Sequence, residues 1–180
     1  MKKMSLLIIV LGFTCSLFGS TVYKLRLFTS GCTNGNVGNY TMDGSVSGTF
    51  PFAVAVGLEH ETIKPNKIPK GWGLRLVVPP KMKDIEATYE DSKDNFGMQF
   101  NVSLYRFYKG MIPINKESAL YFKFKFGTGL SYLIHLGLGG GLEIYDRFTL
   151  EAEYNYHLTT ILIAGIYSGY LGINLGYSFL

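Results

Sequence analysis

Histidine has the widest chemical range of any side chain near neutral pH, and this 180-residue chain carries three: His60, His135 and His157. His157 has Thr159, Thr160 and Ser168 close in sequence, with Glu151 and Glu153 at the same parity. A hydroxyl, an imidazole and a carboxylate are the parts needed to activate an oxygen nucleophile for ester hydrolysis. Yet His157 is followed by "LTT", without the local motif that lipid-modifying esterases place around histidine and serine. A histidine hydrogen-bonded to a glutamate is the plainer expectation. Glu151-x-Glu153 has a spacing that suits a cation, but lysine partners would satisfy it more simply. The run "GLGGG" at 137–141 is not a phosphate-binding loop, because it alternates along an extended segment instead of opening a helix. The expectation is therefore no catalytic, metal-binding or cofactor-binding residue.

The element that carries these residues is legible from its period. From Leu120, the even positions read Leu120, Phe122, Phe124, Phe126, then Ile134, Leu136, Leu138, Leu142 and Ile144, resuming with Phe148, Leu150 and Tyr154. The odd positions between them are Lys, Gly, Ser, His, Glu and Asn. A period of two over this length means strands. The same alternation marks "TFPFAVAVGLEHE", "FGMQFNVSLY", "YLGINLGYSFL" and "VYKLRLF". Eight strands follow, at about 21–28, 49–61, 71–90, 96–108, 119–131, 133–145, 147–157 and 161–179. Pro79-Pro80 interrupts the third, since proline cannot donate to a ladder. That strand is either 71–78 or 83–90, or a bulge joins the two. Asp146-Arg147 is read as a minimal hairpin turn.

Composition narrows the class. Charged residues are 17% of the chain, against about 25% in soluble domains. Residues 1–20 read as a secretory signal peptide, with Lys2-Lys3 before a 13-residue apolar run from Leu6 to Phe18. Removing both lysines takes the cations from 17 to 15 against 13 anions, or +2, which argues against a nucleic-acid partner. Cys15 lies in the signal, so residues 21–180, read as one domain, keep only Cys32 and no internal disulfide.

The polar face decides which way the strands look. A water-facing side should be rich in Lys, Glu, Thr and Gln. This one carries Gly127, Gly129, Gly137, Gly139, Gly141, Gly172 and Gly176, which suits the interior of a narrow barrel. The other face is Leu, Ile, Val and Phe, as contact with lipid requires. The expected fold is all-β: an eight-stranded antiparallel up-and-down transmembrane β-barrel. Its lumen would hold Lys24, Arg26, Arg75, Lys123 and Lys125 against Glu59, Glu61, Glu143, Glu151 and Glu153. Paired charges are tolerable in such a place and unpaired ones are not. A closed lumen with at most a narrow solute path follows. Trp72, Tyr108, Tyr156 and Tyr167 are read as interfacial girdle.

The segment "LGLGGGLEIYDRFTLEAEYNY" and the close "LGINLGYSFL" resemble the small eight-stranded outer-membrane barrels of Gram-negative bacteria, the OmpA-like, OmpX-like and opacity-type group. That resemblance implies export to the outer membrane, contact with its lipids, and a C-terminal strand read by the barrel assembly machinery. Gly172, Leu175, Tyr177 and Phe179 sit at the matching positions of that signal, with Leu180 following the usual final aromatic. The implied role is structural or surface interaction without enzymatic activity. A lipid-modifying hydrolase and a soluble lipocalin-like barrel for a lipophilic ligand are the alternatives. The Gly/Asn/Ser-rich stretch 29–48 is expected to be a long extracellular loop available to a ligand, and the basic stretch 62–70 a periplasmic turn.

Overall fold

The computed structural model describes residues 21–41, 44–78, 82–88, 101–130, 132–161 and 164–179. The signal-peptide reading of 1–20, the start of the fourth expected strand at 96–100, and Pro79-Pro80 all fall outside the described residues. Nine strands are described: β1 Val22–Thr41, β2 Gly44–Ile63, β3 Lys70–Val78, β4 Lys83–Ala87, β5 Asn101–Pro113, β6 Ser118–Gly129, β7 Ile134–Ile144, β8 Phe148–Ile161 and β9 Ala164–Phe179. Every pairing is antiparallel, and β1 pairs with both β9 and β2, so the sheet closes on itself.

The nine strands make eight staves. Val54 of β2 faces Val78 of β3, and Thr49 of β2 faces Lys83 of β4, with four residues between the pairs on each chain. β3 and β4 therefore continue one another along β2, and the two candidate third strands are parts of one. The architecture is a closed, eight-stranded, up-and-down antiparallel barrel. The start of β1 and the end of β9 share one end of the barrel with the turns at 64–69, 114–117 and 145–147.

Three expectations need correction. The stretch 29–48 is not a loop: β1 and β2 run to Thr41 and Gly44 as a hairpin with 20 residues in each strand. Apart from Asn34, its Gly, Asn and Ser residues that are described still pair in the β1–β2 ladder, because a ladder binds backbone and needs little from small side chains. Phe50 does not join the outer row with Phe52. Both strands change face near this point: Cys32 and then Val37 point inward on β1, and Phe50 and then Ala53 on β2. Asn34 takes a left-handed φ of 51°, and the register against β9 shifts between Thr33 and Asn36. This is a bulge, and an extra residue reverses all the side chains beyond it.

The expected Asp146-Arg147 turn is centred one residue earlier. Tyr145 and Asp146 have φ of 52° and 58°, and the Arg147 N–H donates to the Ile144 carbonyl at 3.1 Å. Two successive left-handed residues match the twist of the flanking strands.

Outside, the barrel exposes large apolar side chains around its circumference, including Leu27, Leu74, Leu104, Phe122 at 66%, Leu138 at 64% and Leu175. Inside, side chains from all staves fill the lumen.

Candidate functional site in the barrel lumen

The ten charged residues expected in the lumen are all buried, each at most 5% exposed. An eleventh joins them, Lys109, which lies just past the expected end of the fourth strand because β5 continues to Pro113. The odd parity that carries Ser103, Tyr105 and Phe107 inward simply runs one step further, so the signal was present in the alternation.

Near the terminal end, Lys24 holds Glu143 at 2.8 Å and Asp146 at 3.3 Å. Lys109 pairs with Glu143 and reaches Glu61 at 3.3 Å. One layer further in, Arg26 pairs with Glu59 and lies 3.5 Å from Glu151. Lys123 bridges Glu59 at 3.2 Å and Glu151, while Lys125 joins Glu151 at 3.2 Å and Glu153. Arg75 closes the series on Glu153 and donates to Ser30 Oγ at 2.9 Å. Lys109 and Lys123 stand directly opposite on β5 and β6, a repulsive placement in isolation. Their ammonium groups diverge to different carboxylates, which resolves it.

Two tyrosines complete the shells. Tyr105 donates to Glu59 Oε1 and Tyr121 to Glu151 Oε2, each at 2.8 Å, and Asn174 Nδ2 donates to Glu151 Oε1 at 3.1 Å. Arg26 Nη1 also donates to Thr149 Oγ1 at 3.1 Å. Such added hydrogen bonds are what make buried ion pairs supportable.

Room for these side chains comes from β7. A Cβ at Gly139 would stand 3.1 Å from the Glu153 Cβ, and one at Gly137 would stand 3.2 Å from the Lys125 Cβ. The glycines thus let the carbon stems of the ion pairs lie against the backbone.

Beyond Arg75 the lumen changes character. His135 and His157 face each other across β7 and β8 with ring centroids 4.5 Å apart, flanked by Tyr105, Tyr132 and Tyr170. His135 Nε2 lies 3.1 Å from Asn155 Oδ1, and His157 Nε2 lies 3.4 Å from Ser103 Oγ. Neither Nδ1 has a hydrogen-bond partner, so no carboxylate orients His157 in the way a hydrolytic triad needs. Ser168 lies opposite His157 on β9, whereas Glu151 and Glu153 are committed to the cations. On the β1–β3 side, Cys32, Val37, Phe50, Ala53, Ala55, Val77 and Tyr170 form an apolar cluster with Met82 against it.

Of the C-terminal positions, Leu175 and Phe179 are exposed on the outer wall, Tyr177 is half-buried there, and Gly172 faces the lumen beside Ser30 and Arg75. Among the described residues, no grouping of three or more His, Cys, Asp or Glu side chains could hold a metal ion. His60, the third histidine, sits on the outer wall and stacks on Trp72 at 5.7 Å.

No family model and no curated protein matches the chain. A solved structure of similar shape is that of Neisserial surface protein A (NspA), at 11% identity and a TM-score of 0.43, covering 87% of this chain and 97% of that one. The closed barrel described above stands on its own strand pairings.

Proposed function

We propose that this chain is an integral outer-membrane β-barrel protein. Its role is structural or surface-interacting, and its lumen is closed to solutes. The observation that carries the reading is the inversion of an ordinary soluble protein. Large apolar side chains cover the outer wall, and the ion pairs fill the inside. A soluble barrel would leave an apolar belt of this extent in water, whereas hydrocarbon matches it. A lipocalin-like carrier would need its leucines inward, and Leu104, Leu138 and Leu150 point outward.

The closed lumen supports a scaffold over a pore. Eight strands leave an interior that side chains can fill, and here charged pairs, aromatic rings and an apolar cluster occupy it in succession. Surface interaction would fall to the far end, where the paired strands β1 and β2 reach Thr41 and Gly44, and β8 and β9 reach Ile161 and Ala164. A lipid-modifying hydrolase gains little support, because His157 is fully buried and its Nδ1 has no carboxylate.

Two measurements test the proposal. The protein should extract only with detergent and migrate differently on gels before and after boiling; a freely soluble monomer that ignores vesicles would overturn the membrane assignment. In planar bilayers it should give no steady open-channel current. A sustained conductance would replace the scaffold with a pore.

A further inference from the structure

Along β1–β3 and β5–β9 the outer wall is apolar with one exception, whereas β4, at the far end, exposes Lys83, Asp84 and Glu86. Among the described residues of β1–β3 and β5–β9, the outward face carries two charged side chains, Lys70 and Arg106, and both are exposed cations. They are neighbours: Arg106 pairs in register with Trp72, and Lys70 pairs with Tyr108. With Lys64 from the β2–β3 turn they border a pocket of about 230 Å³, whose other walls include His60, Trp72 and Tyr108. No carboxylate among the described residues forms an ion pair with any of the three. A guanidinium inside the apolar wall and without an anion is out of place unless something outside the protein supplies the negative charge.

The surroundings say where that charge lies. Trp72 and Tyr108 are each more than two-fifths exposed, and His60 stacks on Trp72 and meets Tyr23 at a tilt, both with ring centroids 5.7 Å apart. Half-exposed tryptophan and tyrosine mark the level at which headgroups replace acyl chains. The pocket is smaller than the roughly 300–1,000 Å³ of sites that enclose a whole drug-sized molecule. It suits a headgroup whose acyl chains continue along the adjoining wall.

We propose that Arg106, Lys70 and Lys64 form a binding site for the phosphate of an anionic phospholipid, at the end of the barrel where β1 starts and β9 ends. Arg106 offers a planar fork for two phosphate oxygens, and the two ammonium groups add point charges beside it. Trp72 and Tyr108 supply the apolar floor. This site rests on the membrane reading above, since a lipid must surround the wall to fill it.

Trp72 is the sole tryptophan and lines the pocket, so it reports directly on what binds. The full chain, refolded in mixed micelles, is titrated with phospholipid brominated on the acyl chain, as phosphatidylglycerol or as phosphatidylcholine. Quenching of Trp72 should need several-fold less of the anionic lipid. Arg106→Gln and Lys70→Gln should each cut that preference by about fivefold, and Lys116→Gln, in a different turn, should leave it intact.

Equal quenching by the two lipids in the native protein would overturn the site. So would a preference abolished by millimolar inorganic phosphate, which would mark a free-anion site, or an equal loss in Lys116→Gln, which would mark diffuse attraction. If a variant fails to fold, judged by its gel migration, the native comparison of the two lipids alone decides. No quenching by either lipid would instead show that Trp72 does not meet acyl chains, and the membrane reading itself would fail.

Discussion

In the terminal half of the lumen, Lys24, Arg26, Lys109, Lys123 and Lys125 interlock with Glu59, Glu61, Glu143, Glu151 and Glu153, and most carboxylates serve two or three cations. In the far half, Phe50, Val37, Val77 and Tyr170 pack beside a pair of imidazole rings, His135 and His157, and Asn101 and Asn155 leave amide nitrogens without a partner. Both halves close the same barrel, but by different physics. A charge network is intolerant of losing one member, because each remaining ion is stranded out of water. A packed apolar cluster is sensitive to lost volume and indifferent to lost charge. The two halves should therefore respond oppositely to the same kinds of substitution.

The largest effect is expected where one carboxylate holds most. Arg26, Lys123 and Lys125 share two carboxylates, Glu59 and Glu151; Glu151→Ala leaves these cations to Glu59 and Glu153 alone and should destabilise the barrel by about 3–5 kcal/mol in urea unfolding followed by Trp72 emission. A loss below a kilocalorie would mean that the network is solvated and not interlocked.

Phe50→Ala probes the far half at the same scale, also about 3–5 kcal/mol, because a ring only 1% exposed is removed from a packed cluster. If instead Phe50→Ala is silent while Phe52→Ala is costly, the reversal of face at the bulge is misassigned.

Leu138→Arg sets the outer wall against both interiors. A cation at an exposed apolar position should cost about 2–4 kcal/mol when the protein is refolded into vesicles, if that position lies near the bilayer midplane. The same variant should be nearly neutral wherever water, not hydrocarbon, bathes this face, so a small effect in vesicles would undo the membrane reading.

The smallest change is reserved for His157→Phe. The replacement is close in volume, keeps an aromatic ring against Tyr132 and Tyr170, and removes the unpartnered Nδ1 together with one long hydrogen bond, Nε2 to Ser103 Oγ at 3.4 Å. The expected shift is below about 1.5 kcal/mol in either direction. A collapse of the fold in this variant, comparable to Glu151→Ala, would show that the far half depends on a polar network after all.

Alternation by itself determined a great deal. Period-two patterning placed the strands, because side chains must alternate across a pleated sheet whatever lies around it. The glycine-rich polar face and the leucine-rich opposite face told inside from outside, since crowding at a barrel axis and contact with hydrocarbon select opposite residues. The candidate lumen residues were legible for the same reason: on a strand of known parity, each charge has only two places to go.

What alternation could not reach was anything that depends on register between strands. The length of the β1–β2 hairpin came from backbone pairing through residues whose types favour loops. The inward turn of Phe50 came from a bulge at Asn34, one residue that reverses everything beyond it. That β3 and β4 lie along one stave is visible only in their common register against β2. The choice of partners inside the lumen, and the meeting of Lys70, Arg106 and Trp72 outside it, required the closed barrel, because each brings together side chains distant in sequence through the stagger of neighbouring strands.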